Sequence, residues 1–516
     1  MADKWDTEVI SKPNWADHIH FFFNPGDVQC MAGRMQLDDY ESVRFFARRI
    51  YGVTEAGTMP MGAPDRRWNE FRLGTFYNWI KNGSPRTADD ESVLENFRIE
   101  LNPGGPVRTR KNLNAIDPTG GEMAKLKAAF RGIMDRDPGE PNSYFDVAGL
   151  HWYPAPATYC VHGEDRYNPW HRAYLLAFEN TLRSVPGCED VTLPYWDIGS
   201  GVIPDVLFEE PFHRYVFQQD VVGEEGAIDV EKGEETRRNQ KSDIEAGINS
   251  PVSRIRGNID LALGAETWLS FNGLPPFSNN IIGAHNTGHG ICGDTLALPN
   301  TAAFDPLFWF FHCNWDRLWW EWQRNAGVQR LPDFRDLMAR TGEDTKWLDD
   351  PVIGLIEPFG VLSEVTIDSI QLGVDYELPP SLDAFTMFNV WTAGREATES
   401  VVLAPTPKVM VRLEGFERLG IPGSVLIELL AGDQLVASHY IFQSTVPEKC
   451  PTCRKHGRVD IDFELERDAI EGLRISARVT CLGSKGARTP VRLEDCGRPT
   501  LSVRMLLDIE SLQDDG

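Results

Sequence analysis

Six of the eleven histidines fall into two groups of three, with spacings that suit metal coordination. His285 and His289 are four residues apart, so a helix would place both rings on one face. His312 lies in an apolar segment, where an imidazole without a partner would be costly to bury. The candidate ligands are His151, His162 and His171, with Cys160 among them, and then His285, His289 and His312.

The donor atoms restrict the choice of metal. Imidazole suits zinc, copper, iron and nickel, whereas calcium and magnesium prefer oxygen ligands. Non-haem iron oxygenases combine two histidines with a carboxylate, which fits these groups poorly. The residues alone leave open a zinc hydrolase with three histidine ligands, and a paired-metal site in which the two groups act together.

Three parts of the chain would carry and surround these residues. Apolar spacing predicts helices over 170–183 and 306–323, and Thr119 with Glu122 forms a capping-box pattern for a helix that reaches about residue 135. From about residue 400 the apolar period becomes two, which predicts a β-sandwich. We expect a mainly α core with long loops at 106–380, a small N-terminal helical unit at 1–105 and a C-terminal β-sandwich at 381–516.

Composition and charge argue against several partners. The chain has 516 residues, with 51 Lys and Arg against 77 Asp and Glu, and a net charge of −26. An acidic surface repels nucleic-acid phosphates and anionic lipid, so we expect neither nucleic acid nor a membrane as a partner. The sequence has no apolar run long enough for a transmembrane helix and no signal-peptide pattern, which predicts a cytoplasmic location.

Two segments resemble the copper-binding signatures of the type 3 copper family, which contains tyrosinases, catechol oxidases and molluscan haemocyanins. The first is His151-x8-Cys160-x-His162-x8-His171-Arg172, and the second is Asp305-Pro-Leu-Phe-Trp-Phe-Phe-His312-x3-Asp316-Arg317-Leu-Trp319. The stretches 110–112, 193–197 and 372–376 also match, so the resemblance covers about 107–378. The chain is most similar to bacterial tyrosinases with a C-terminal shielding domain.

This resemblance implies a four-helix bundle that holds two copper ions, one on each histidine group. It also implies a thioether between Cys160 and His162. Phe308, one helical turn before His312, would be a stacking surface near the substrate, although plain core packing explains it equally well. Gly290 adds no bulk beside His289 and would leave the entrance open.

The chain departs from the family pattern in three places. Tyr167 and Asn168 stand where the first signature has Phe and an apolar residue, and Phe311 stands where a histidine often precedes the last ligand. Tyrosinases hold a water between an Asn after the fourth ligand and an upstream Glu. Asn286 is present here, but 276–284 contains no acid, and Glu266 is the nearest upstream candidate.

The resemblance implies a phenol oxidase that uses O2 to hydroxylate monophenols and to oxidise catechols to ortho-quinones. Asn286 favours tyrosinase activity, whereas the missing acid favours a catechol oxidase without monophenol hydroxylation. An oxygen carrier of the haemocyanin type is the alternative of a different class. We also expect the C-terminal domain to cover the entrance and to keep the enzyme latent.

The C-terminal domain contains a second cysteine cluster. Cys450 and Cys453 are followed by His456, with Cys481 and Cys496 downstream. Three interpretations stay open: a structural zinc site with four cysteines, a disulfide, or a Cys-x-x-Cys that collects copper for the active site, as in some relatives. His18, His20 and Cys30 are interpreted as structural or surface residues, and no metal is assigned to them.

Overall fold

The structure is a computed structural model. It describes residues 7–61, 66–89, 97–99, 101, 104–151, 159–223, 227–274, 280–350, 353–377, 408–448 and 450–505.

Helices dominate the first three quarters of the described chain. They are α1 (Pro25–Met31), α2 (Tyr40–Phe45), α3 (Ala47–Glu55), α4 (Glu70–Lys81), α5 (Gly121–Met134), α6 (Tyr144–Gly149), α7 (Tyr167–Arg183), α8 (Lys241–Asn249), α9 (Ile255–Leu263), α10 (Trp268–Asn272), α11 (Ile281–Cys292), α12 (Pro299–Ala302), α13 (Leu307–Asn325), α14 (Leu331–Thr341), α15 (Lys346–Asp349) and α16 (Pro451–Lys455).

Strands are short in the helical part and long in the C-terminal part. They are β1 (Arg108–Arg110), β2 (Val221–Val222), β3 (Ile228–Val230), β4 (Leu355–Ile356), β5 (Val361–Leu362), β6 (Val374–Tyr376), β7 (Lys408–Glu417), β8 (Ser424–Ala431), β9 (Gln434–Ile441), β10 (Arg458–Glu466), β11 (Ile475–Leu482), β12 (Arg488–Val491) and β13 (Thr500–Met505).

The C-terminal strands form two antiparallel sheets. One has the order β10-β7-β13 and the other β12-β11-β8-β9. Alternate residues such as Val411, Ile427 and Phe463 point between the sheets and share one apolar cluster. The predicted β-sandwich is therefore present, and the fold class of a helical core with this domain and a small N-terminal helical unit is confirmed.

Apolar side chains of the described residues gather in three large clusters. The first lies within residues 15–80, the second within 97–376, and the third within 409–496. Phe442 is the exception, because this residue of the C-terminal part belongs to the second cluster. Phe97 and Ile99 of the expected unit 1–105 also belong to the second cluster, and the boundary at 380/381 lies outside the described residues, so the domain bounds stay a prediction.

The helices of the core pack side by side in a series. Helix α5 packs on α7, α7 on α13, α13 on α9 and α9 on α11. The predicted helices over 170–183 and 306–323 correspond to α7 and α13. The predicted capping box of α5 is wrong, because Gly120 is the N-cap residue and the Thr119 hydroxyl donates to Asp117 instead. Within the described ranges, no helix combines the length and the apolar character needed to cross a bilayer.

Buried ion pairs join α7 and α13 behind the histidines. Arg172 Nε lies 2.6 Å from Asp316 Oδ1, and Arg110 lies 3.4 Å from Asp316 and 3.3 Å from Glu179. Tyr376 donates its hydroxyl to Asp316, and β1 pairs with β6 in parallel, which brings Arg110 opposite Tyr376. The network connects both ends of the core to the two helices that carry ligand histidines.

We expect Asp316→Asn to lower the free energy of unfolding of the core by about 3–5 kcal/mol. The change leaves the buried Arg172 and Arg110 with too little negative charge, and removing one partner of a buried pair has this cost. Urea denaturation of the metal-free protein, followed by tryptophan fluorescence, measures it. Asp333→Asn is the matched control, because its pair with Arg330 is exposed. Equal unfolding midpoints for both variants would contradict the role of the network.

Candidate metal centre

The structure brings the six histidines together in two adjacent clusters. His151 follows α6, His162 lies in an irregular segment, and His171 lies in α7. The second cluster takes His285 and His289 from α11 and His312 from α13. Within each cluster, which in the first case includes Cys160, the candidate ligand atoms lie within 4.8 Å of one another.

Backbone carbonyls fix the orientation of four imidazole rings. The Nδ1 atoms of His151, His171, His289 and His312 lie 2.7–3.0 Å from the carbonyl oxygens of Pro299, Tyr167, Leu296 and Phe308. A carbonyl oxygen only accepts hydrogen bonds, so each Nδ1 carries the hydrogen and each Nε2 keeps its lone pair. This is the orientation that metal-ligating histidines adopt.

The Nε2 atoms of the second cluster converge. His285 Nε2 lies 3.1 Å from His312 Nε2 and 3.0 Å from His289 Nε2. Three lone pairs at this separation repel one another unless a cation lies between them. In the first cluster, His151 Nε2 is buried and has no hydrogen-bond partner. Both observations fit a bound metal ion in each cluster.

Protonation does not supply the missing positive charge. Burial, followed by the neighbouring imidazoles, lowers the pKa of His151, His162, His285 and His312 well below the usual value. Burial also lowers the pKa of His171 to about 4 and that of His289 to about 3. At neutral pH the rings are therefore uncharged, and each can donate a nitrogen lone pair to a metal ion.

The two clusters face each other across a short gap. The rings of His171 and His312 are stacked at 4.9 Å with an interplanar angle of 14°, and those of His162 and His285 lie 6.2 Å apart. Among the described residues, the groups that could hold a metal consist of histidine and cysteine without a carboxylate. A pair of borderline metal ions bound mainly by imidazole fits this arrangement.

Cys160 lies beside the ring of His162. Its Sγ is 3.6 Å from Nδ1 and 3.5 Å from Nε2 of that ring, the two atoms that flank Cε1. The same Sγ lies 3.7 Å from His171 Nε2. Burial raises the pKa of the Cys160 thiol well above the usual value.

A cavity of 390 Å³ opens beside the clusters, between the core and the C-terminal domain. His162, Tyr167, His285 and Asn286 line it on the core side. The Asn286 side-chain oxygen lies 3.0 Å from His285 Nδ1. Asn286 is thus placed at the site, as the sequence predicts.

The structure does not bring Glu266 or Phe308 to this cavity. Glu266 is exposed and follows Ala265, whose carbonyl accepts a hydrogen bond from Trp322. Trp322 lies beyond His312 on α13 by about 15 Å of helix. Phe308 is fully buried, and its ring packs at 3.7 Å on His312. Phe308 therefore packs behind the ligands, and the exposed Glu266 side chain does not line the cavity.

Sequence reasoning missed two aromatic residues of the C-terminal domain. Phe442 stacks on His289 at 4.2 Å with an angle of 13°, and its ring lies 5.4 Å from that of His162. Tyr440 lies against Gly290, where a β-carbon would come within 2.1 Å of the Tyr440 ring. No local pattern in 434–442 distinguishes these residues from other strand residues, so the sequence offered no signal for them.

Comparisons with known proteins agree with this geometry. Residues 141–325 match the model of the common central domain of tyrosinase. Hemocyanin 1 of Megathura crenulata is 30% identical over 240 residues, which cover 43% of this chain and 6% of that protein. The tyrosinase HcTyr2 of Hahella sp. is 24% identical over 483 residues, which cover 67% of this chain and 85% of the relative.

A solved tyrosinase from Burkholderia thailandensis has the same fold. It superimposes with a TM-score of 0.56 at 19% identity, over 77% of this chain and all of the other. The chain spans well under two thirds of the length of several curated relatives, from 6% to 48% of the first three. The matched region carries both histidine clusters, so this part of the chain is similar to the central domain that tyrosinases share.

Proposed function

We propose that the protein is a dicopper phenol oxidase of the tyrosinase type. His151, His162 and His171 would hold one copper ion, and His285, His289 and His312 the other. The observation that carries the proposal is the pair of converging imidazole clusters beside a cavity of 390 Å³. Two copper ions at this site would bind O2 and accept the two electrons that leave a catechol.

Residues beside the clusters would bind the phenolic substrate and assist its deprotonation. The face of His289 that Phe442 covers is the place where the ring of a phenolic substrate would stack. Asn286 orients His285 through Nδ1, and its amide nitrogen would hold a water near a bound phenol. A free phenol titrates near pH 10, so a monophenol needs help with deprotonation at neutral pH.

Oxygen uptake by the copper-loaded protein tests this function. The protein is trimmed beyond about residue 385 and is given a monophenol and then the matching catechol. Uptake with both, after a lag on the monophenol, is the expected result. Uptake with the catechol alone would identify a catechol oxidase, and reversible O2 binding without turnover would identify a carrier of the haemocyanin type.

We expect Asn286→Ala to lower the rate on the monophenol by about 100-fold, because positioned proton transfer contributes this much. The rate on the catechol should change much less, since a catechol needs less help with deprotonation. Oxygen uptake with each substrate measures the ratio of the two rates. Ile282→Ala is the matched control, because Ile282 lines the same cavity and has no polar group. An equal loss on both substrates in Asn286→Ala would count against the water-holding role.

The proposal includes latency. Besides Phe442, Arg254 donates to the Glu464 carbonyl at 2.9 Å, and Lys485 forms an ion pair with Glu234 at 2.8 Å. A small apolar contact groups Leu426, Leu482 and Tyr440 of the C-terminal domain with Ala297 of the core. These contacts support a C-terminal domain that is docked over the entrance, and the protein would act as a proenzyme.

A thioether between Cys160 and His162 is a further part of the proposal. The new bond would replace the S–H of Cys160 and the Cε1–H of His162. Two protons and two electrons would leave, and one O2 molecule would accept them to give H2O2. Intact mass spectrometry of the denatured protein tests the link as the loss of two hydrogen atoms, which Cys160→Ser must abolish.

The Cys450 and Cys453 pair is the proposed site of an additional metal ion. The Cys453 amide donates to Cys450 Sγ at 3.2 Å, and the hydrogen bond with the Cys450 thiol lowers the pKa of Cys453 to about 7. His456 Nε2 is buried without a partner, and all three residues line the same cavity as His162. Cys481 and Cys496 donate to the carbonyls of Pro422 and Arg492 and do not line the cavity, so they do not favour a site with four cysteines.

We expect a variant with serine at both Cys450 and Cys453 to contain less copper after production in cells, by about half or more. A thiolate pair close to the centre would capture cuprous copper there, and serine does not. Copper added in excess to the purified protein should load both proteins equally. Metal analysis after each procedure measures this, with Cys481→Ser as the control. Equal copper contents after production in cells would contradict the collecting role.

Phenolic small molecules and O2 are therefore the proposed substrates. The cytoplasmic location stays a prediction from the sequence.

A further inference from the structure

The N-terminal unit contacts the segment that carries Cys160 and His162. The Tyr159 hydroxyl donates to the carbonyl of Lys81, the last residue of α4, at 3.1 Å. Tyr159 is 9% exposed and is adjacent in sequence to Cys160. A hydrogen bond thus connects α4 to the part of the chain that holds the first candidate copper ligands.

Lys81 makes a second connection to the same cluster. Its Nζ forms an ion pair with Glu357 Oε2 at 2.7 Å, and the Glu357 carbonyl accepts from Trp170 Nε1 at 2.9 Å. Trp170 directly precedes His171 on α7. The Lys81 carbonyl is therefore connected to the segment that carries His162, and the Lys81 ammonium, through Glu357, to the helix that carries His171.

A residue near the end of the N-terminal unit reinforces this contact. The Ile99 amide donates to the Phe359 carbonyl at 3.2 Å, and the Phe359 ring lies 5.5 Å from that of Trp170. Glu357 and Phe359 thus connect the N-terminal side of the chain to α7.

The two clusters differ in how their ligands are held. All three histidines of the second cluster lie on the long helices α11 and α13, whose backbone hydrogen bonds fix them. His162 lies outside any helix or strand, so contacts from other parts of the chain must fix its position. The described residues of the N-terminal unit do not line the cavity, which argues against a direct catalytic role.

We propose that the N-terminal unit is a positioning element for the first copper site. Through Lys81 it holds the Cys160–His162 segment and α7 at the separation that the three imidazoles need. This role rests on the proposed copper centre, and it concerns a unit in which no residue pattern indicates chemistry. Its residues act through the ligands and do not touch the substrate.

The test compares single variants of the full-length chain. Tyr159→Phe removes the hydroxyl that donates to Lys81, and Lys81→Met removes the ion pair but keeps the carbonyl. The control is Lys127→Met, which removes an ion pair of the same 2.7 Å length with Glu209 elsewhere on the core. The measurements are copper per chain, the rate of copper loss to a chelator, and the fraction of chains with the thioether mass.

We expect one of the two copper ions to leave about 10-fold faster in Tyr159→Phe and in Lys81→Met, the scale found for residues that orient metal ligands. The other ion should leave at the wild-type rate. The thioether fraction should fall in both variants, because His162 is held less well beside Cys160. Lys127→Met should match the wild type in all three measurements.

Two results would overturn the inference. One is wild-type copper release and thioether yield in both variants. The other is equally faster loss of both ions, which would indicate general destabilisation. A wild-type protein that binds no copper would instead contradict the proposed function, so the two failures are distinguishable.

Discussion

Replacing Phe442 with alanine should make the intact chain oxidise catechol about 10- to 100-fold faster. The Phe442 ring covers His289 at 4.2 Å and lies 5.4 Å from His162, where a substrate ring would enter. Burial of a phenylalanine side chain stabilises the docked state by about 1.5–3 kcal/mol. Each 1.4 kcal/mol changes the ratio of chains with a covered entrance to chains with an open one by about a factor of ten. The measurement is oxygen uptake by the copper-loaded, unproteolysed protein.

Two further proteins serve as references for the rate of Phe442→Ala. Val503→Ala, at a position 52% exposed on β13, should leave the rate unchanged. Wild-type protein trimmed beyond about residue 385 should be at least as active as Phe442→Ala, because it lacks the whole domain. An intact Phe442→Ala protein no faster than the wild type, together with an active trimmed protein, would show that another contact closes the entrance.

The second large effect concerns the ligands themselves. We expect His171→Ala and His312→Ala each to lower phenol oxidation by on the order of 10³-fold or more, the scale for one member of a cooperating catalytic set. One residue comes from each cluster, and their rings are stacked at 4.9 Å. Because one of the two copper ions in each variant would lose one of its three imidazoles, copper content should also fall from two ions per chain towards one.

His439→Ala is the matched control for these variants. His439 is a histidine on β9 whose pKa burial lowers to about 4, and it lines the same cavity without belonging to either cluster. Its replacement should leave two copper ions bound. Retained oxidation after loss of either ligand histidine would remove the basis of the dicopper proposal.

Local patterns in the sequence predicted the parts of the fold that depend on local periodicity. The apolar spacing of 306–323 predicts α13, and the alternation around Val459 and Phe463 predicts β10. The histidine spacing also grouped the six candidate ligands correctly into two clusters. These features are encoded within a few turns of helix or a few residues of strand.

The contacts between distant segments could not be predicted in this way. Phe442 reaches His289 from another domain, and Tyr159 reaches Lys81 from another cluster of apolar side chains. No periodic pattern of apolar or polar residues in the sequence marks either contact. Glu266 shows the opposite error, since nearness in sequence to α11 did not bring its side chain to the cavity.

Gly290 places a constraint on how this chain can change over evolutionary time. Since a β-carbon there would come within 2.1 Å of the Tyr440 ring, position 290 can accept a larger residue only if position 440 becomes smaller. A lineage that acquires a larger residue at 290 must first, or at the same time, reduce the side chain at 440. Otherwise a single substitution would push Tyr440 away from α11 and, under the proposed latency, would leave the entrance permanently open.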